Sequence, residues 1–194
     1  MPKPNSICVY CGSSDQGPDS HRQAAQDLGE TLARNKIRLV YGGGQIGLMG
    51  ATADAALANG GEVIGIIPQF LKDLEVGHAG CTELIVTDTM HERKRKMVEL
   101  SDAFAILPGG LGTLDETFEI LTWRQLRLHD KPIILVNIDD YWSPLLALIE
   151  NQINENYVRA EHRRLYEVVD RVEDILPAIT RSPVSEELVM SDRL

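Results

Sequence analysis

The chain alternates short, uniformly apolar runs with longer segments of helical period, and this alternation leaves few folds open to it. Runs of strand length stand at residues 7–10, 37–41, 62–67, 83–87, 103–107, 132–138 and 165–169. Apolar positions recur at helical spacing over about 21–35, 46–59, 90–100, 113–128, 143–154 and 172–180. Such alternation is the pattern of βαβ units, which build a parallel sheet. Ile133-Ile134-Leu135-Val136 has no polar member, so that strand needs cover on both faces. The expected fold is α/β: a single doubly wound, Rossmann-like domain over residues 1–180, with a mainly parallel sheet of about seven strands. Residues 181–194 are polar, include Ser182-Pro183 and read as a flexible C-terminal tail.

The 194 residues carry 19 Lys and Arg against 29 Asp and Glu, a formal net charge of −10. A field of that sign opposes a nucleic-acid partner, which calls for a basic surface. It leaves room for a small anion in a local pocket. No apolar run approaches the ~20 residues that span a bilayer, and no hydrophobic leader follows Met1-Pro2-Lys3-Pro4-Asn5. The expectation is a cytoplasmic protein that does not engage membranes. Three cysteines, Cys8, Cys11 and Cys81, give no disulfide framework. Cys8-x-x-Cys11 has the spacing of a redox or zinc half-motif, but Cys8 falls inside a predicted strand and no second pair completes a zinc site. Packed thiols and no metal are expected.

Ligands of doubly wound sheets lie at the carboxyl ends of the strands, beside helix N-termini. Four segments follow predicted strands and should share that rim: Cys11-Gly12-Ser13-Ser14, the loop from Tyr41 to Gly50, Thr89-Met90-His91-Glu92-Arg93-Lys94, and the stretch from Pro108 to Glu116. Gly42-x-Gly44-x-x-Gly47 fits the dinucleotide fingerprint in spacing alone, since the next strand ends Ile66-Ile67-Pro68 with no acid for a ribose hydroxyl. Neither glycine loop contains Gly-Lys-Ser/Thr, which excludes a Walker A site; no cofactor is expected. The second loop is more telling. Gly109, Gly110 and Gly112 strip side chains from a turn that runs directly into a helix. Bare amides there meet the positive end of the helix dipole, worth roughly 0.3–1 kcal/mol per charge. A phosphate monoester is the natural occupant, with the Thr113 hydroxyl as a further donor.

Two charged residues do not fit their helices. Along residues 90–100 the inward stripe consists of Met90, Met97 and Leu100, and Arg93 falls on it. Glu92, Arg95, Lys96 and Glu99 occupy the other side and are placed for i,i+4 pairing. An inward guanidinium requires an anion from the protein or from a ligand. Glu116 has two readings. Thr113-x-x-Glu116 matches a capping box, in which the acid bonds back to the helix start. Alternatively, the helix carries one apolar stripe of Leu114, Phe118 and Leu121 and a second of Ile120 and Trp123 beside Glu116. The second stripe would meet another subunit and leave Glu116 in a desolvated cleft. A carboxylate 4 Å from a phosphate charge is repelled by about 4 kcal/mol at an effective dielectric of 20, and Arg93 is suited to offset that repulsion.

Pro108-Gly109-Gly110-x-Gly112-Thr113-x-x-Glu116, with Met90-His91-x-Arg93-Lys94 upstream, resembles the Lonely Guy family of cytokinin-activating enzymes. The resemblance takes in Cys11-Gly12-Ser13-Ser14, the Tyr41 to Gly50 loop, Trp123 and His129-Asp130-Lys131-Pro132, and covers roughly residues 5–180. It shows no departure at the motif positions; Asp115, where many members carry Glu, keeps the charge. The resemblance implies hydrolysis of the N-glycosidic bond of N6-modified adenosine 5′-monophosphates, or of AMP, giving free base and ribose 5-phosphate. It implies Arg93 and Glu116 as catalytic residues. Implied substrate contacts are Glu75, Lys94, Gly109, Gly110, Leu111, Gly112, Thr113, Leu114, Asp115 and Thr122, and the implied assembly is a homodimer. The alternative is a sensor that holds a nucleotide-derived ligand without turnover. A pyridoxal-phosphate decarboxylase would need a Schiff-base lysine in a cofactor pocket, which nothing in the sequence marks. Residues 68–82, with Glu75, exceed normal loop length and are expected to act as a lid.

Overall fold

The apolar run Ser6–Tyr10 forms β1, and all five of its residues are buried. It lies at the centre of the sheet, paired with β2 (Arg38–Tyr41) on one side and β5 (Ala103–Ile106) on the other. Beyond β2 come β3 (Val63–Pro68) and β4 (Glu83–Thr87); beyond β5 come β6 (Ile133–Val136) and β7 (Glu167–Val169). The order is therefore β4-β3-β2-β1-β5-β6-β7, and every pairing is parallel. The computed structural model describes residues 3–75 and 77–182, the side chains of Leu74 and Glu75 excepted. The tail expected from 181 onward thus falls almost wholly outside the described residues.

Helices cover both faces, as the unalternating strands require. On one face α1 (Asp19–Arg34), α2 (Gly47–Ala58) and α7 (Ile175–Arg181) bury Leu28, Leu32, Ala53 and Ile175 against Ile7, Val9, Leu39 and Ile134. On the other, α4 (Met90–Glu99), α5 (Leu111–Gln125) and α6 (Ser143–Asn154) bury Met97, Ile120 and Ile149 against Cys8, Tyr10, Phe104 and Leu135. Both Cys8 and Cys11 are buried, and all three cysteines are unpaired. The chain winds from β1 out to β4, then returns across the sheet to β5. The loops after β1 and β5 consequently part company at the switch point, where such sheets hold ligands. Among the described residues no helix is long and apolar enough to cross a membrane.

Two differences from the sequence expectation bear on the site. Residues 68–82 are not one long loop: they contain α3 (Gln69–Glu75), and the return is tied down. Gly77 bridges Gly44, the His78 amide donates to Gly43 O at 2.9 Å, and the His78 ring lies 2.8 Å from Asp54. A free lid therefore gives way to a tethered strap. The second difference is that α5 starts at Leu111, two residues earlier than the periodicity predicts.

The closest helix pair, α1 on α2, meets at Gly29, where an added Cβ would stand against the Thr52 carbonyl and 2.9 Å from the Ala56 amide. Those are backbone atoms that cannot swing aside. Gly29→Ala should destabilise the fold by about 1–3 kcal/mol, measured by urea denaturation; an unchanged midpoint would refute this account of the contact.

Candidate active site

The rotation of α4 decides where Arg93 points. Its start is fixed by Thr89, whose hydroxyl accepts from the Glu92 amide at 3.1 Å, while the Glu92 carboxylate accepts from the Asp88 amide at 3.1 Å. This is the capping-box logic, shifted one residue outward. Met97 and Val98 are buried beneath the helix, so Arg93, one turn earlier, faces inward as its stripe predicts. Its Nε donates to Ile66 O at 3.1 Å, Nη2 to Gly42 O at 3.5 Å, and Nη1 lies 3.2 Å from Glu116 Oε1. One guanidinium thus ties the ends of β2 and β3 to α5. A Cβ on Gly42 would collide with it, so the bare α-carbon is the seat of the side chain. On the outer side of α4, Arg95 pairs with Glu99 as expected.

The capping-box reading of Glu116 is overturned. The N-cap of α5 is Gly110, with no side-chain cap, which places Glu116 beyond the first turn and out of reach of the helix start. Its carboxylate meets Arg93 instead, both side chains being 9% exposed. Burial pushes the Glu116 carboxyl up to about 7; Arg93 opposes that rise and neighbouring Asp115 adds to it. Near neutral pH the group is therefore close to its midpoint, able to take or release a proton. Lys94, the next residue, is buried with its ammonium 3.0 Å from Asp115 and 3.1 Å from Glu119. Burial pulls this ammonium down, but the two carboxylates prevail and hold it above the ordinary lysine range. Any part Lys94 plays in binding is taken together with Asp115.

The two glycine loops end in helix starts of different kinds. At α2 the protein supplies its own acceptors: Asp15 takes the Gly47 amide at 3.1 Å, and Gly12 O takes the Leu48 amide at 3.0 Å. Gly47 also lies at φ 70° and packs on the backbone of Ser13 and Ser14. Its glycines serve the turn and the packing. At α5, the first-turn amides have no carbonyl within the helix to meet, and the N-cap Gly110 offers no side chain to cap them. Gly109 is bare because Thr113 and the Gly12 backbone crowd it, whereas a Cβ on Gly110 or Gly112 would find nothing within 4 Å. Both glycines are exposed, so the start of α5 is left open. Gly12 N donates to Pro108 O at 3.0 Å, and the Tyr141 hydroxyl donates to Gly109 O at 2.7 Å, bracing the turn from both sides.

Arg93 and Glu116 are in direct contact, and Gly109, Gly110, Gly112 and Thr113 form the turn that leads to them. Leu111 is 85% exposed, while Leu114 is partly buried and packs into the core. Thr122 is exposed and, at 100° per residue, lies about 120° around α5 from Glu116. Glu75 closes α3; its side chain lies outside the described residues. The stripe assignment changes in part: Ile120 is fully buried within this chain and is not left for another subunit, while Trp123 is partly buried against the same core. Besides Leu111, the exposed apolar positions along α5 and just after it are Phe118, Leu126 and Leu128. Sequence reading missed the carbonyls of Gly42 and Ile66, which carry no side-chain signal. It also missed Tyr141, although that residue follows the predicted strand 132–138 onto the same rim.

A raised carboxyl stabilises the fold below its unfolded value and loses that contribution as pH climbs through the folded one. The stability of Glu116→Gln relative to the parent should therefore grow between pH 4 and pH 8, by up to roughly 3 kcal/mol. Urea titrations at the two pH values measure it, and a difference that does not change with pH would contradict the burial of an ionisable Glu116.

A family model described as "Possible lysine decarboxylase" matches residues 49–179. A Rhodococcoides fascians protein named cytokinin riboside 5′-monophosphate phosphoribohydrolase is 46% identical over 183 residues, covering 94% of this chain and 92% of the relative. An Arabidopsis thaliana protein of the same description is 38% identical, covering 96% and 82%. Among solved structures, a molybdenum cofactor binding protein from Rippkaea orientalis superposes with a TM-score of 0.70 at 27% identity, covering 93% of this chain and 97% of that one. The molybdenum cofactor carrier protein of Chlamydomonas reinhardtii shares the fold at 20% identity, with a TM-score of 0.67 and coverage of 92% and 97%. The family model and the two phosphoribohydrolase relatives, which match the chain over most of its length and across the turn that opens α5, show that the chain belongs to the Lonely Guy family.

Proposed function

We propose that this protein hydrolyses the N-glycosidic bond of adenosine 5′-monophosphates, AMP and N6-modified forms alike, releasing adenine or a free cytokinin base together with ribose 5-phosphate. The observation that carries this reading is the buried Arg93–Glu116 pair beside an uncapped, glycine-stripped helix start. The phosphate sits on the amides from Gly110 to Thr113. This places the ribose against Glu116. As the C1′–N9 bond breaks, positive charge develops on the ribose, and a desolvated carboxylate stabilises it. Water then forms the new C1′–O bond and gives up one proton, while the departing base gains one. A carboxyl with a midpoint of about 7 is suited to take the water's proton. Arg93 balances the charge of Glu116 and holds it in place. Lys94 with Asp115 borders the nucleotide, together with Leu111, Leu114 and Glu75.

The working form is a homodimer. Phe118, midway along α5, and Leu126 and Leu128, just past its last residue, are 38%, 59% and 68% exposed, apolar positions that a second subunit would cover. Phe118, Thr122 and Leu126 are spaced i, i+4, i+8, so Thr122 falls in that interface. Three unpaired thiols are in keeping with a reducing cytoplasm. A second reading, carriage of a ligand without turnover, draws on the Rippkaea orientalis cofactor-binding relative.

Incubation with AMP and with isopentenyladenosine monophosphate, read by chromatography of the free base, separates the two. Base release is expected, with kcat/KM rising as pH climbs through about 7 and Glu116 ionises. Glu116→Gln should lower kcat by at least about 100-fold with the fold intact. Tight nucleotide binding with no base from either substrate would favour the carrier. Sedimentation should give a dimer of the 21.5 kDa chain, reduced to monomer by the double substitution Phe118→Glu, Leu126→Lys; a monomeric parent would remove the interface.

A further inference from the structure

Behind the glycine turn stands a loop for which the chemistry above has no use. After β6 the chain passes through a 3₁₀ turn, Ile138–Asp140, in which Asp139 and Asp140 lie at φ 50° and 60°. Two consecutive left-handed residues that are not glycine persist only where their surroundings hold them, and such strain gathers at functional sites. Here the holding is explicit. Asn137 Oδ1 accepts the Trp142 amide at 2.7 Å, Ser143 donates to the Asp140 carboxylate at 3.1 Å, and Ser20 of α1 donates to Asp139 at 2.6 Å. The product of this strained, braced turn is the placement of Tyr141. Its ring meets His21 and Trp142 edge-on, with centroids 5.3 and 4.9 Å away. It remains 41% exposed, so burial does not dictate where it stands. Its hydroxyl reaches 2.7 Å to Gly109 O.

A trans peptide points its N–H opposite to its carbonyl, and no described peptide is cis. A phenol that holds the Gly109 carbonyl therefore aims the Gly110 amide away from the ring, on the N-cap residue of α5. Space around that residue is open: a Gly110 Cβ would meet nothing within 4 Å. Glycine on both sides of this peptide gives it unusual rotational freedom, which the Tyr141 hydrogen bond removes. The hydroxyl has a single proton, already given to Gly109, so the phenol acts through the backbone and does not donate to the anion itself.

We propose that Tyr141 is a positioning residue for the phosphate: by holding Gly109 O it presents the Gly110 amide, beside the first-turn amides of α5, to the anionic end of the nucleotide. This rests on the phosphate seat proposed above. In Tyr141→Phe, the KM for AMP should rise about fivefold, as expected for one hydrogen bond, while kcat stays within about twofold. The inhibition constant of ribose 5-phosphate should rise in parallel, and kcat/KM for adenosine, which lacks the phosphate, should not move. If the parent discriminates AMP from adenosine but Tyr141→Phe keeps the parent's KM, the seat stands and the role of Tyr141 falls, whatever happens to its Tm. If the parent treats AMP and adenosine alike, the seat is wrong and the proposal falls with it.

Discussion

A guanidinium withdrawn from water needs an acceptor for its donors, and Arg93 stands where this sheet has acceptors to spare. The pairing of β2 with β3 ends at Tyr41 and Gly65, while β3 continues beside β4 to Pro68. The Ile66 carbonyl therefore projects beyond the end of β2, and the Gly42 carbonyl closes β2 itself. Arg93 takes both, and its remaining face is left for one carboxylate. The staggered rim of a parallel sheet, a backbone property, thereby selects which residue of α5 sits opposite. A buried ion pair adds little stability against an apolar replacement of the same shape. What this one supplies is a carboxyl balanced between its two charge states.

The same rim separates the two glycine loops into different tasks. Around α2, Asp15 and the Gly12 carbonyl consume the amides that an anion would need. At α5 the N-cap is a glycine that makes no side-chain cap, and among the described residues nothing stands within 4 Å of a Cβ placed on Gly110 or Gly112. An overall charge of −10 does not oppose the proposed phosphate seat, because such a seat is made from local dipoles.

The architecture was legible because each strand is an unbroken apolar run, and burial on both faces writes itself into composition. The inward turn of Arg93 was legible for a related reason: Met90 and Met97 fix the stripe on which it lies. Glu116 was legible only as a choice between two roles, because Thr-x-x-Glu is the same string at a cap and elsewhere. The helix start at Leu111 decides between them, and glycines leave that start unmarked in the sequence. Ile120 was misplaced because periodicity gives angles around a helix and not which neighbour fills each side. The strap after α3 escaped notice since its ties are backbone contacts at Gly43, Gly44 and Gly77, and Tyr141 because its partner is a carbonyl.

The central position of β1 has a consequence for how the molecule comes together. Its two neighbours are far apart in the chain: Ile7 pairs in register with Leu39 on one side and with Ala103 on the other. Gly42, Ile66 and Arg93 belong to the first half of the winding and Glu116 to the second. Contacts of such sequence separation form late and slowly. A half-wound chain, however well its helices are made, has nothing to offer a nucleotide. A ligand for this site therefore gives all of its binding free energy to the finished protein and none to its precursors, and so acts as a lock on the last step of assembly.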